Sequence, residues 1–269
     1  RRRRALFLDG AGAGARPASL SGALYIVGLG PADARWLTHE AQEALNAAQD
    51  IIGYAPYVAR VPERAEQTRL ASDNRVEIDR AREALTRAAQ GRRVAVVSGG
   101  DPGVFAMAAA VFEAVDGGPR EWRDLDIRVL PGVSAMQAAA ARLGAPLGHD
   151  FCAISLSDNL KPWELIAKRL EHAAQGDFVI ALYNPASRAR PTRIDDAFAL
   201  LRRHLPGDTF VGLAKSVGRD NEEIILTRLD EAEGDKVDMS TLVIIGASGT
   251  RRIAREHSRD WIYTSRKAT

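Results

Sequence analysis

The sequence predicts an α/β protein of two domains, the first built on a parallel sheet and the second on a mixed one. Two observations carry this. Three short apolar runs each pass into a glycine-rich segment and then into a helical pattern, and uninterrupted apolar strands fit a parallel sheet covered by helices on both faces. Beyond Gly144-Ala145-Pro146-Leu147-Gly148 the texture changes to strands with fewer helices between them, which reads as a linker into a separate, more mixed sheet.

Taken in order, residues 23–27 form an apolar run ending in Gly28-Leu29-Gly30-Pro31. A helix over 37–48 follows, with Leu37, Ala41, Ala44, Leu45 and Ala48 on one face. Residues 50–54 read as a strand. Residues 77–90 read as a charged amphipathic helix with Ile78, Ala81, Leu85 and Ala88 inward and Gly91 as its stop. The buried strand 93–97 ends in Ser98-Gly99-Gly100-Asp101-Pro102-Gly103, and a helix is expected over 104–115. The strand 127–130 ends in Pro131-Gly132-Val133-Ser134 before a helix over 135–143. In the second half, strands are expected at 151–156, 177–183, 210–214, 223–227 and 241–245. Helices are expected at 161–174 and 193–204, and residues 261–263 could add an edge strand.

Composition narrows the function classes. In 269 residues, 46% hydrophobic and 27% charged, the formal net charge is only +2, too small by itself to imply a nucleic-acid or membrane surface. Cys152 is the one cysteine, so no internal disulfide or thiolate metal cluster can form, and it is expected to be a small buried apolar side chain rather than a reactive thiol. The five histidines have no metal-ligand spacing, and no metal is expected. No apolar run approaches a membrane span. Residues 1–21, with the opening run Arg1-Arg2-Arg3-Arg4 and a Gly/Ala/Ser-rich tract, read as a mobile extension whose apolar part is too short for a signal peptide. A cytoplasmic protein is expected.

In an open parallel sheet, ligands gather outside the carboxyl ends of the strands. The segments Gly28–Pro31, Ser98–Pro102 and Pro131–Ser134 all fall at such ends and are expected to converge on one pocket. Glycine admits a ligand close to the backbone, helix starts offer unpaired N–H groups, and Asp101 can take an ammonium or ribose hydroxyls. Each segment alone also reads as a tight turn. A nicotinamide site is disfavoured because Gly28-Leu29-Gly30 is followed by Pro31-Ala32-Asp33 and lacks the third glycine. Gly246-Ala247-Ser248-Gly249-Thr250 lacks the Gly-Lys-Ser/Thr ending of a P-loop and reads as a turn.

Together these segments resemble the tetrapyrrole methyltransferases. The resemblance runs through Tyr25–Pro31, Val96–Phe105, Leu130–Ala135, Leu182–Ser187 and Leu242–Gly246, in order, over 23–252. Ile51-Ile52-Gly53-Tyr54, Tyr57, Tyr183-Asn184-Pro185-Ala186-Ser187-Arg188 and Trp261-Ile262-Tyr263-Thr264 are similar to the branch that methylates precorrin-3B at C17. The tail departs from it at Ser265, where a proline is expected. Ala55 stands where uroporphyrinogen-methylating members carry an Asp, so no role for that Asp carries over.

The resemblance implies domains over 22–147 and 148–269, a cleft between them and a homodimer. It implies S-adenosylmethionine as methyl donor, held by Pro31, Gly99, Gly100, Asp101, Val104, Ser134 and Ala135 from the first domain. Tyr183, Asn184, the segment 215–217 with Val217, and Thr241 would contact it from the second. It further implies a small-molecule tetrapyrrole substrate and methylation coupled to ring contraction, giving precorrin-4. Moving a proton near the ring calls for a donor or acceptor, and Tyr54, Tyr57, Asp158, Lys161 and Lys215 are of suitable type. Arginine suits the substrate's carboxylates. Arg188 and Arg190 are the candidates, whereas Arg80 and Arg82 are expected on a solvated helix face. The alternatives are a cobalt-containing precorrin, a same-fold RNA or protein methyltransferase, a nicotinamide oxidoreductase and a non-catalytic binding module.

Overall fold

The computed structural model describes residues 22–73, 76–187 and 190–267; the expected extension at 1–21 lies outside them. The first half contains strands β1 (Ala23–Gly28), β2 (Asp50–Tyr54), β3 (Thr68–Ser72), β4 (Arg93–Ser98) and β5 (Asp126–Leu130). They form one wholly parallel sheet in the order β3-β2-β4-β1-β5. Side chains alternate across a strand. Leu24, Ile26, Ile52, Val94 and Val96 therefore pack on one face against α3 (Glu77–Ala89) and α4 (Met107–Asp116). Val27, Ile51, Ala95 and Val97 pack on the other against α1 (His39–Ala47) and the short α2 (Ala55–Val58). Burial on both faces is why these strands read as unbroken apolar runs.

The second half contains α5 (Ala135–Leu143), β6 (Gly144–Ala145), β7 (Phe151–Ser155), α6 (Trp163–Gln175), β8 (Val179–Tyr183) and α7 (Arg193–Leu201). Then come β9 (Phe210–Lys215), β10 (Glu223–Arg228) and β11 (Thr241–Ile245). The sheet runs β10-β9-β11-β8-β7. Its β7/β8 pair is parallel and the others are antiparallel, so the mixed character expected from sequence is present. Helices α6 and α7 cover one face with Ile166, Leu170, Ile194 and Phe198. The other face is covered by α5, whose Ala138, Ala139 and Leu143 meet Ala214, Leu242 and Ile244. A helix that follows a strand of the first sheet thus packs on the second and joins the two.

Several local expectations are corrected. The segment 144–148 is not only a linker, and β13 (Trp261–Thr264) is not an edge strand. It is the middle strand of a separate sheet, between β12 (Thr250–Ile253) and β6. The Thr264 hydroxyl donates to the Pro146 carbonyl at 2.6 Å and lies 2.9 Å from that of Thr250, fixing the register. The half-exposed strands β3 and β12, Thr-Arg-Leu-Ala-Ser and Thr-Arg-Arg-Ile, carry too few apolar residues to announce themselves. Helix α4 begins at Met107, not 104, because a turn at 101–106 intervenes.

Arg80 is buried, not solvated. Its Nε donates to Ser72 Oγ at 2.9 Å and its Nη2 to the Asp73 carbonyl at 2.7 Å. The guanidinium closes the carboxyl end of β3 against α3, a job a long side chain performs by burying its stem. Arg82 is exposed, as expected. Among the described residues no helix is long and apolar enough to cross a membrane.

Candidate active site

The three glycine-rich segments meet at the carboxyl edge of the parallel sheet. Gly30 and Gly100 form a two-way bridge, each amide donating to the other's carbonyl at 3.1 and 2.9 Å. Both have left-handed backbones, φ 65° and 68°, which glycine adopts without steric cost. Gly28 lies so close to the third loop that a Cβ there would stand 2.6 Å from the Gly132 nitrogen and 2.8 Å from the Gly100 carbonyl. The loops therefore touch backbone to backbone. Asp101 locks them: Oδ1 accepts the Gly103 amide at 2.8 Å and Oδ2 the Gly132 amide at 3.0 Å.

Helix α5 starts from this platform. Ser134 and Gln137 form a capping box, with Gln137 N to Ser134 Oγ at 3.2 Å and Ser134 N to Gln137 Oε1 at 3.1 Å. The next orphan donor, Met136 N–H, is taken by the Tyr183 hydroxyl at 3.1 Å, from the second sheet. That leaves the Ala135 N–H without an acceptor among the described residues, beside Gly100, whose added Cβ would lie 3.7 Å from it. A free helix-start amide and a bare backbone suit a ligand presenting acceptor atoms. Burial pushes the Tyr183 phenol above its ordinary 10.0, with the Asp101 charge adding to the rise and hydrogen bonds from Ser134 and Met136 opposing it.

Facing this edge is one edge of the second sheet. Ser155 pairs with Tyr183 and Lys215 with Thr241, so the carboxyl ends of β7, β8 and β9 lie together with the start of β11. Asn184 and Ser216 are non-glycine residues in the left-handed region, φ 52° and 50°. Asn184 donates to Ser155 Oγ at 3.0 Å, and Ser216 N to the Ser240 carbonyl at 3.0 Å. Val217 and Thr241 are buried. The loop carrying Val217 is tied to the first domain, since Gly218 packs on Trp36 and Ala32 and Arg219 Nε donates to the Pro31 carbonyl at 3.2 Å.

The remaining candidates divide. Tyr54 and Tyr57 meet edge-on, centroids 5.5 Å apart, and the Tyr57 ring covers Gly99, where a Cβ would stand 2.7 Å from it. Asp158 is engaged by Arg190 Nε at 3.1 Å and Arg193 Nη2 at 2.7 Å. Lys215 is engaged by Asp238 at 2.7 Å, and that hydrogen bond holds the amine above its ordinary pKa. Lys161 has its Nζ 5.9 Å from the Phe105 ring centroid. Burial, helped by the Arg169 charge, lowers its pKa. Val104 sits in the turn, its amide 3.3 Å from the Asp101 carbonyl. Arg188 lies outside the described residues.

Two residues escaped the sequence reading. Arg60 clamps the first loop, its Nη2 donating to the carbonyls of Leu29 at 2.8 Å, Gly30 at 2.9 Å and Ala32. Phe105 projects from the turn onto Tyr183, centroids 5.1 Å apart. Arginine and phenylalanine carry no distinctive spacing here; an aromatic residue two positions after the Gly-Gly-Asp-Pro-Gly segment was the available signal for Phe105.

Comparison with known proteins bears on the class first. The structure of the methyltransferase CobJ is similar at TM-score 0.87 and 48% identity, covering 91% of this chain and all of that one. With the facing strand ends, this defines a two-domain α/β methyltransferase. The family model of the tetrapyrrole (corrin/porphyrin) methylases matches residues 23–233, and the chain belongs to that family. A precorrin-3B C(17)-methyltransferase from Sinorhizobium sp is 56% identical over 92% of this chain and 97% of its own length. A probable cobalt-factor III C(17)-methyltransferase from Salmonella typhimurium is 42% identical over 84% and 93%. A Thermus thermophilus uroporphyrin-III C-methyl transferase complexed with S-adenyl homocysteine shares the fold at TM-score 0.63 and 23% identity, covering 84% and 97%.

Proposed function

We propose that this chain methylates precorrin-3B at C17 with S-adenosylmethionine as methyl donor, contracting the ring to precorrin-4 in corrin-ring (cobalamin) biosynthesis. The observation that carries the reading is the convergence of three glycine-rich strand ends, Asp101 and the free Ala135 N–H opposite Tyr183, in a chain near full-length similarity to the Sinorhizobium enzyme. The cleft fits the donor: Gly99, Gly100, Asp101 and Ser134 bring bare backbone close on one side, and Ala135 adds the free helix-start N–H. Pro31 and Val104 are assigned to the donor from the same side, and Tyr183, Asn184, Val217 and Thr241 from the facing strand ends.

When bound, S-adenosylmethionine supplies a methyl group already activated on a sulfonium. No protein nucleophile is needed, and the chain's work is alignment and exclusion of water. The Asp101 bridge holds the glycine-rich loops of the first wall together, and the Tyr183 hydroxyl ties the second sheet to the start of α5. Arg188 is assigned to a substrate carboxylate; Arg190, expected in the same role, is instead engaged by Asp158 at 3.1 Å and by the Leu156 carbonyl at 3.2 Å. Asp158 and Lys215 are tied in ion pairs, leaving Tyr54 and Tyr57 for the proton that ring contraction moves, while Lys161 is the candidate left with a free ammonium. The family resemblance supports a cytoplasmic homodimer with domains near 22–147 and 148–269, and sedimentation at micromolar concentration checks the dimer.

The test is incubation with methyl-labelled S-adenosylmethionine and precorrin-3B, followed by mass spectrometry and carbon NMR of the pigment. Label at C17 of a contracted ring is expected. Transfer only to a cobalt-containing precorrin would move the substrate, and a folded protein that binds no S-adenosylmethionine would overturn the reading.

A further inference from the structure

We infer that Phe105 is the platform on which the flat tetrapyrrole rests, and that Lys161 beside it pairs with a substrate carboxylate; this rests on the substrate reading above. Phe105 has a left-handed backbone, φ 52°, a conformation that is a genuine outlier for a bulky side chain. The residue is 50% exposed, so burial recovers only part of what the strain costs. Folding of the turn does not call for this side chain, because glycine or asparagine would take the backbone with less strain. Strained residues of this kind gather at ligand sites. Three of the four described non-glycine residues with positive φ, Phe105, Asn184 and Ser216, stand along the cleft.

The surroundings indicate the ligand. Phe105 leaves the first domain's turn at 101–106, held by Asp101, and tilts 60° onto Tyr183 of the second. It therefore bridges the walls of the cleft with one edge packed and the rest open. Lys161 approaches the same ring from the second domain at 5.9 Å, within cation–π range. Asp158, three residues before it in the chain, is shared by Arg190 and Arg193, and no ion pair of Lys161 with a carboxylate occurs among the described residues. An open aromatic face with an unpaired ammonium at its margin matches a flat ring system carrying peripheral carboxylates.

The experiment uses F105G, F105Y and K161M in the full chain, saturated with S-adenosylhomocysteine and titrated with precorrin-3B by visible absorbance. Glycine suits the left-handed backbone, so F105G should fold with an unchanged melting temperature and bind S-adenosylhomocysteine within about twofold of wild type. Its precorrin affinity should fall about tenfold, with KM rising while kcat moves little. F105Y should retain affinity. K161M should lose about fivefold and much of the salt dependence of binding. F105G that binds precorrin-3B as wild type does, or that loses S-adenosylhomocysteine affinity and melting temperature together, would overturn the platform. Wild type that binds S-adenosylhomocysteine but not precorrin-3B would overturn the substrate reading and the platform with it.

Discussion

Replacing Tyr183 by Phe deletes one oxygen and leaves the ring in place, so it isolates the hydrogen bond that joins the second sheet to the start of α5. That hydroxyl accepts the Met136 N–H at 3.1 Å. Met136 lies in the first turn of the helix, where no intrahelical acceptor exists. With the cap donor at Gln137 already taken by Ser134, no neighbouring side chain replaces the lost oxygen. Leaving a part-buried amide unsatisfied costs about 1–3 kcal/mol. For a chain of this size that corresponds to about 2–4 °C in Tm per kcal/mol. The raised phenol pKa, caused first by burial, keeps the hydroxyl neutral through pH 9, so the penalty should be the same at pH 6 and pH 9. Affinity for S-adenosylhomocysteine should fall as well, by about 1 kcal/mol or roughly fivefold, because Ala135 is oriented by the same helix turn. Urea unfolding at the two pH values and calorimetric titration measure these quantities. Y183F with an unaltered urea midpoint and unaltered affinity would refute the argument that this hydroxyl couples the domains at the site.

Further outcomes are expected around the same cleft. D101A leaves the Gly103 and Gly132 amides without their acceptor; stability should fall by about 1–3 kcal/mol without loss of the fold. Cofactor affinity should drop, and unchanged affinity by calorimetry would remove Asp101 from the site. G132A introduces a Cβ 3.0 Å from the Gly28 Cα, and overpacking of this kind costs about 1–3 kcal/mol. It should abolish S-adenosylhomocysteine binding while circular dichroism still reports an α/β fold. Acid should act first on the loops behind Val217. Burial raises the Asp238 carboxyl, but hydrogen bonds from Lys215, Ser240 and Thr241 outweigh it and lower the pKa from 3.8 to about 2. Burial likewise raises the Glu222 carboxyl, but the hydrogen bonds from Arg142 and the Gly218 amide, with the Arg142 charge, outweigh it and hold the pKa below its ordinary 4.5. Groups depressed on folding stabilise above their unfolded pKa and lose that contribution as pH falls through the folded one. The urea midpoint should therefore decline below about pH 4.5, and E222Q should flatten the upper part of that decline.

The strand–glycine–helix units, the parallel character of the first sheet and the loops that build the cleft were all legible in the amino-acid sequence. Each is a local property. Apolar periodicity sets strand or helix, and glycine after a strand marks a backbone that must turn or be approached closely. Tyr183 and Asp101 could be named as site residues from their segments, but their hydrogen-bond partners could not. Asp101 reaches Gly132 across 31 residues and Tyr183 reaches Met136 across 47, separations closed only by strand order and register. The same holds for the residues whose character changed. Arg80 is polar by type yet buried, because β3 ends beneath it. Asp158 and Lys215 have the chemistry of proton carriers yet are occupied by ion pairs. Trp261–Thr264 became a central strand because Gly144 lets β6 come alongside. Residue type and spacing determine which chemistry a chain can offer. Which groups remain free to offer it depends on long-range pairing, because a hydrogen bond or ion pair is a relation between two segments and neither one contains it alone.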